Sequence, residues 1–405
     1  MNVEKEIERQ LSILKRGVED LISEEELRKK IKKSIETGKP LKVKFGIDPT
    51  GNSIHIGHAV PIRKLKQFQD LGHTVQFLIG TYTAKIGDPT GKSETRKVLS
   101  DDEINENIKG YLEQVGKILD IDKTEIRYNG EWLSKLTMEE ILNLTSQFTV
   151  SQMISREDFS KRLKENKPVS LVEFMYPILQ GYDSVALECD VELGATEQKF
   201  NLLRGRDLQK YFNQEQQVCM MMPILEGTDG VNKMSKSLNN YIGITEAPND
   251  MFGKVMSISD ELMINYYEMA TEIPLEDIRK MEEDIKSGVL HPMEAKKRLG
   301  EEIVKLYHNE ESAKAARDYF EKMFSKKDIP DDIPEIKVEE NEMAVIDLIF
   351  EKIKFGKSKS EARRLIKGNG FRINGEVFND INGTIKMMDG MILKAGKKKI
   401  VKIIK

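Results

Sequence analysis

Lys44-Phe45-Gly46-Ile47-Asp48-Pro49-Thr50-Gly51-Asn52-Ser53-Ile54-His55-Ile56-Gly57-His58 is the stretch that decides the fold. From Lys42 to Ile47 polar and apolar residues alternate, which is the period of a strand. Asp48 to Asn52 breaks that period with turn-forming residues. Ser53 stands where a helix cap is expected, and Ala59 to Leu71 has helical spacing. A strand that ends in a turn feeding a helix N-terminus is where α/β sheets bind phosphate, because unpaired backbone N–H groups and the helix dipole both favour anions. His55 and His58 sit at that point with Gly57 between them, where a β-carbon would obstruct a flat base lying on the backbone.

Working outward, His73 to Gly80 reads as a second buried strand and leads into Thr81 to Ser93. That loop is not a Walker-type phosphate cradle. Its Gly87 and Gly91 enclose one residue too few, and Pro89 removes an N–H that the cradle would use. Two strands each followed by a helix predict the nucleotide-binding half of a doubly wound sheet. Glu4 to Lys33 reads as one or two leading helices, with Ile7, Leu11, Leu14, Val18 and Leu21 on an apolar stripe. Ser100 to Lys167 is mostly helical in pattern and predicts an insertion between the halves of the sheet; Leu136 to Met153 suits either a dimer surface or core helices. Ser170 to Asp183 reads as a helix with Leu171, Phe174, Ile178 and Leu179 on its apolar face, and it places Tyr176, Gln180 and Asp183 together. Asp190 to Gln198 is another strand-turn-helix start, and Val218 to Leu225 is a buried strand followed by a Gly- and Ser-rich loop.

The 405 residues are enough for two or three domains, and a 39% hydrophobic content is enough for a substantial core. No apolar run approaches the ~18 residues of a membrane span, and the charged N-terminus has no apolar signal region. The two cysteines, Cys189 and Cys219, lack metal-ligand spacing and read as free thiols of a cytoplasmic protein. Of the net charge of −4, Met343 to Lys405 carries +9 and the remainder −13. A basic module on an acidic body predicts nucleic-acid contact at the C-terminal end. Between them, Asp328 to Glu335 is a linker rich in Pro and acidic residues. Phe371 to Val377 reads as a hairpin by its Asn374-Gly375 turn.

His55-Ile56-Gly57-His58 resembles the HIGH signature of class I aminoacyl-tRNA synthetases, and Lys233-Met234-Ser235-Lys236-Ser237 matches their KMSKS signature. The basic end resembles the S4 RNA-binding fold. From Lys42 to Ser237 the chain is most similar to the bacterial type of tyrosyl-tRNA synthetase. The resemblance implies an α/β protein with a Rossmann-like doubly wound parallel sheet and a helical insertion at about residues 100–168. It also implies a helical domain and a small α+β S4-like domain after the sheet. Domain bounds of 1–230, 231–328, 329–342 (linker) and 343–405 are expected.

Such an enzyme joins tyrosine to ATP as an adenylate, with Mg2+ accompanying the nucleotide and no dedicated metal site, then passes tyrosine to tRNA(Tyr). Catalysis needs positioning and stabilisation of negative charge more than a nucleophile. The resemblance assigns catalytic roles to Thr50, His55, His58, Lys92, Arg96, Lys233 and Lys236. It assigns nucleotide binding to Asp48, Gly57, Ala195, Glu197 and Lys236. Asp88, Tyr176 and Gln180 hold the ammonium group of tyrosine, Asp183 accepts its phenol O–H, and Gln198 contacts its carboxylate. RNA contact falls to Lys359, Arg363, Arg364, Lys367 and Arg372, and a homodimer is implied.

Two departures stand out. The family usually carries a tyrosine on the first strand that also touches the phenol; here that stretch is Lys44-Phe45-Gly46, which leaves the contact to Asp183. The ribose turn usually reads Gly-Gly-Thr/Ser-Asp-Gln; here it is Gly194-Ala195-Thr196-Glu197-Gln198, so Ala195 and Glu197 crowd the ribose. A tryptophan-charging relative and a non-charging RNA-binding paralogue are the alternative readings.

Overall fold

The computed structural model describes residues 2–51, 53–90, 100–324, 333–338, 340–356, 358–374, 376–396 and 399–405. The chain divides into two units, Met1–Arg317 and Asp318–Lys405. In the first unit β1 (Asp20–Ile22), β2 (Lys42–Ile47), β3 (Thr74–Ile79), β4 (Thr124–Tyr128), β5 (Val191–Ala195) and β6 (Val218–Met222) form one sheet in the order β1-β6-β5-β2-β3-β4. All neighbours run parallel except β1, which is antiparallel to β6. The chain moves from β2 outward through β3 to β4, then returns to the other side of β2 for β5 and β6. That reversal opens a crevice at the carboxyl ends of β2 and β5, the place where open α/β sheets bind ligands. The central strands are covered on both faces, so Val218 to Met222 is wholly buried.

Several expectations need correction. The leading helix stops at Leu14, and Leu21 lies on β1 opposite Met220 instead of on a helical stripe. A three-residue edge strand has no period long enough to show in the sequence. Strand β4 lies inside the stretch expected to be a helical insertion. It is a half-exposed edge strand, Thr-Glu-Ile-Arg-Tyr, with few apolar residues to mark it. The helix after the first turn begins at Ile56, and its N-cap is His55, not Ser53. Leu171, expected on the buried face of its helix, is 82% exposed at the first turn of Leu171–Ala186. The helices from Pro248 to Tyr307 follow the sheet within the first unit. The Tyr266 hydroxyl donates to the Glu226 carbonyl at 2.6 Å, and the Arg16 guanidinium donates to the Thr271 carbonyl at 3.2 Å.

The second unit is a small α+β body whose core includes Val345, Leu348, Phe371, Leu393 and Val401. Phe371–Ile373 pairs antiparallel with Glu376–Val377 as the Asn-Gly pattern predicted. Glu335–Lys337, in the stretch expected as linker, pairs parallel to the last strand, Lys399–Ile404. Ile336 packs on the core there, which anchors a segment that its acidic and proline content marked as extended.

Candidate active site

One cavity of about 470 Å³ opens at the carboxyl ends of β2 and β5. Thr50, His55, Gly57, His58, Lys233 and Lys236 line it together with Asp48, Asp88, Tyr176, Gln180, Asp183, Ala195, Glu197 and Gln198. Lys92 and Arg96 lie outside the described residues.

At the nucleotide-type end, His55 is both helix cap and pocket wall. Its Nδ1 accepts from the His58 backbone N–H at 3.3 Å, so a neutral His55 ring carries its proton on Nε2. The two imidazoles stack with centroids 3.6 Å apart. Burial, then the neighbouring His58 and Lys236, push the pKa of His55 down to about 2. Burial, then Lys236 and Lys233, push that of His58 down to about 4. Both rings are therefore neutral donors at physiological pH, not cations. His58 Nδ1 is buried with no hydrogen-bond partner among the described residues. A β-carbon at Gly57 would stand 3.1 Å from His55 Nδ1 and 3.5 Å from Met234 Cβ, so glycine here lets the ring and the following loop close together.

The loop Lys233–Ser237 is tied down by Asn240, whose side-chain oxygen accepts from the Ser235 N–H at 2.8 Å and whose amide donates to the Lys233 carbonyl at 3.1 Å. The Lys233 ammonium pairs with Glu197 at 3.0 Å. Lys236 reaches the first turn, its Nζ 3.4 Å from where a Gly51 β-carbon would stand, and burial lowers its pKa. The two lysines thus converge on the mouth beside the histidines.

Asp48, at the end of β2, accepts from the Thr83 hydroxyl at 2.7 Å and the Tyr176 hydroxyl at 2.8 Å. Gly80 makes room for it: a β-carbon there would lie 2.0 Å from Asp48 Oδ1. Tyr176, Gln180 and Asp88 line one cavity but do not bond to one another. The Gln180 amide oxygen accepts from Asn201 at 2.9 Å. Asp88 accepts from the Gln198 amide at 2.6 Å and from the buried Arg156 guanidinium at 3.4 Å.

Asp183 is almost wholly buried. Its Oδ1 accepts from the Trp132 indole N–H at 2.8 Å and its Oδ2 from the Asn129 amide at 3.2 Å. Burial pushes its pKa up to about 7, against the pull of Lys44, Trp132 and Asn129. Lys44 and Glu192, in register on β2 and β5, form a buried ion pair of 2.9 Å alongside. Sequence reading did not find Asn129, Gly80 or the Lys44–Glu192 pair in the lining of this pocket, nor Trp132 and Arg156 as partners of its carboxylates. The only tryptophan and an Asn-Gly step just after β4 were the available signals.

In the second unit Arg363, Arg364 and Lys367 project from the exposed side of the helix Lys359–Lys367, and Arg372 is exposed on the next strand. Lys359 is paired with Asp347 at 2.7 Å and with Glu351 at 3.1 Å.

A parallel sheet with a topological reversal, histidines at a helix start and a lysine loop closing on them define the nucleotide site of a class I aminoacyl-tRNA synthetase. Residues 36–325 match the family "tRNA synthetases class I (W and Y)", and residues 326–403 match the "Tyrosine--tRNA ligase SYY-like C-terminal domain". The chain is 53% identical over 404 residues to the tyrosine–tRNA ligase of Carboxydothermus hydrogenoformans, covering 98% of each. It is 50% identical over 401 residues to that of Moorella thermoacetica, covering 99% of this chain and 97% of the relative. A truncated mitochondrial tyrosyl-tRNA synthetase from Coccidioides posadasii has a similar structure, with a TM-score of 0.61 at 25% identity, covering 78% of this chain and 94% of that one. The Archaeoglobus fulgidus tyrosyl-tRNA synthetase, solved with L-tyrosine, shares the fold with a TM-score of 0.61 at 23% identity, covering 77% of this chain and 99% of that one. The chain belongs to the tyrosine–tRNA ligases.

Proposed function

We propose that the cavity takes tyrosine at its Asp183 end and ATP at its histidine–lysine end, and that the chain charges tRNA(Tyr). The observation that carries this reading is the single cavity lined by both groups of residues. A tyrosine carboxylate oxygen attacks the α-phosphorus of ATP, the bond to the bridging oxygen breaks, and pyrophosphate leaves with that oxygen. A terminal hydroxyl of the tRNA then attacks the carbonyl of the adenylate, and AMP leaves.

His55 and His58, neutral by burial, donate N–H groups to phosphate without cationic desolvation, and Thr50 adds a hydroxyl. Lys233 and Lys236 gather the charge that develops on pyrophosphate, and their contacts count most in the transition state. Lys92 and Arg96 add further positive charge in this reading. Asp48, Gly57, Ala195 and Glu197 form the nucleotide wall, with Glu197 exchanging its partner Lys233 for the ribose. ATP carries Mg2+ on its phosphates, and the ion supplies charge neutralisation there. Among the described residues no cluster of three or more His, Cys, Asp or Glu is arranged as a ligand set.

Asp88, Tyr176 and Gln180 take the ammonium group, Gln198 the carboxylate, and Asp183 the phenol O–H. A buried acceptor that phenylalanine leaves unpaired disfavours that amino acid. Lys359, Arg363, Arg364, Lys367 and Arg372 contact the tRNA backbone.

The active form is a cytoplasmic homodimer. Large exposed apolar side chains cluster in the segment from Met138 to Val172, with Met138 71%, Leu142 61% and Val150 69% exposed. Among the described residues no helix is long and apolar enough to cross a membrane. ATP–pyrophosphate exchange measured with tyrosine, tryptophan and phenylalanine in turn tests the reading. Exchange with tyrosine alone is expected, and exchange with tryptophan but not tyrosine overturns it.

A further inference from the structure

Lys44 is wholly buried, and the face of the sheet it occupies is the floor of the tyrosine end of the cavity. Its ammonium donates to the Ser184 hydroxyl at 2.7 Å and meets Glu192 Oε1 at 2.9 Å. Glu192 is in turn held by the Ser184 hydroxyl at 3.1 Å and by the buried Gln217 amide. A buried ion pair is weak support for stability, because desolvating both ions offsets their attraction. Its presence at this point of the pocket calls for another use.

Ser184, which bonds both members of the pair, follows Asp183 directly on the helix Leu171–Ala186. Among the described residues, the charged or titratable groups facing Asp183 come from three elements: Lys44 on β2, Glu192 on β5, and Tyr176 on its own helix. Asn129 and Trp132, just after β4, supply neutral donors. Lys44 is the only cation in that set. Lys44 and Asp183 line the same cavity, and the ammonium is bonded to the Ser184 hydroxyl one residue along the helix, so it favours the Asp183 carboxylate more than Glu192 opposes it.

We propose that Lys44, paired with Glu192, is a positioning residue that keeps Asp183 an ionised acceptor and thereby sets the choice of tyrosine over phenylalanine. This rests on the reading of Asp183 as the group that receives the phenol O–H. Glu192 holds the ammonium in place and keeps it charged in a buried site. Without that cation the carboxyl takes up a proton more readily, and an acceptor that must first lose a proton distinguishes the two amino acids less well.

Two variants test the proposal, each by ATP–pyrophosphate exchange with tyrosine and phenylalanine from pH 6 to 9. In K44Q/E192Q both charges are gone. The tyrosine KM at pH 7 is expected to rise about tenfold, the fold-difference between a charge-assisted and a neutral hydrogen bond, and the preference over phenylalanine to fall by as much. Its pH midpoint moves up, and kcat changes far less than KM. In E192Q the buried ammonium loses its counter-ion and gives up its proton more readily, so the midpoint moves up toward that of the double variant. A merely structural pair would leave both midpoints in place, and that result, or a midpoint that falls in E192Q, overturns the proposal. If K44Q/E192Q does not fold, the near-isosteric E192Q decides by whether its midpoint rises. Absence of tyrosine-dependent exchange in the unaltered protein overturns the parent reading and the proposal with it. Normal exchange with unaltered selectivity and midpoints in the variants overturns the proposal alone.

Discussion

Trp132→Phe tests how the pocket holds the buried Asp183 carboxylate. The substitution removes the indole N–H that donates to Asp183 Oδ1 at 2.8 Å. It retains an aromatic face for Arg127, whose guanidinium carbon lies 5.5 Å from the Trp132 ring centroid. A hydrogen bond to a charged group contributes about 1.5–3 kcal/mol, which corresponds to a rise of about one to two pH units in the midpoint of the carboxyl. Asp183 already titrates at about 7, so at pH 8 roughly nine-tenths of it is ionised in the native protein. In the variant the ionised fraction at that pH falls to between about one half and one tenth. The phenol O–H needs the ionised acceptor, so the tyrosine KM at pH 8 should rise about two- to tenfold. The defect should widen below pH 7 and narrow toward pH ~9.5, where the carboxyl ionises in both proteins. Initial rates of tyrosine-dependent pyrophosphate exchange across this range give the profile. A variant whose KM–pH curve overlays that of the native protein would show that the indole does not tune Asp183, and the reasoning would fail.

Lys236→Ala should lower the rate of adenylate formation by about 10²–10³-fold while leaving the tyrosine Kd nearly unchanged, as read by single-turnover kinetics and equilibrium binding. An unchanged rate would remove the lysine from the chemistry. Asp183→Asn should relax the exclusion of phenylalanine and also stabilise the unliganded protein at alkaline pH. Because burial raises the folded pKa of Asp183 from 3.8 to about 7, its stabilising protonated form is complete below pH ~4 and lost as pH rises through about 7. The variant's advantage in Tm should therefore be absent at pH 4 and present at pH 8. Arg363→Glu with Arg364→Glu should spare pyrophosphate exchange and depress tRNA charging, with a shallower salt dependence of tRNA binding. Equal charging by this variant would dissociate the helix Lys359–Lys367 from RNA.

Local order carried the sequence reading a long way. Alternation in Lys42–Ile47, the Pro-Gly turn and the helical spacing after it located the strand and helix that hold Asp48, His55 and His58. Tyr176, Gln180 and Asp183 share one helix, so their common face could be read from spacings of four and three. Pairings between distant segments could not be read this way. Trp132 and Asp183 are 51 positions apart, and Tyr176 and Asp48 are 128 apart. No period links such positions; only the packing of helix Leu171–Ala186 over the sheet brings them together. The His55 cap was missed for a different reason. An imidazole can satisfy a helix N–H as a hydroxyl does, and serine is simply the commoner residue for it. The strands β1 and β4 were missed because edge strands are short and half-exposed, so they bury too little to leave an apolar pattern.

The two ends of the cavity use burial in opposite ways. At the histidine end burial removes charge: both imidazoles are neutral and His58 Nδ1 has no partner among the described residues, so the ring is a dipole already desolvated before phosphate arrives. Ordering such donors in advance avoids reorganisation as charge develops. At the Asp183 end burial works against the charged form, and three groups from two segments, Lys44 on β2 and Asn129 and Trp132 just after β4, oppose it. Reading a hydroxyl requires a dry acceptor, because water would otherwise pair with the carboxylate and erase the difference between a phenol and a phenyl ring. A dry carboxylate left alone would protonate. The pocket therefore has to carry Trp132, Asn129 and Lys44 as well as Asp183, and the selectivity for a single oxygen belongs to the set rather than to the residue that touches it.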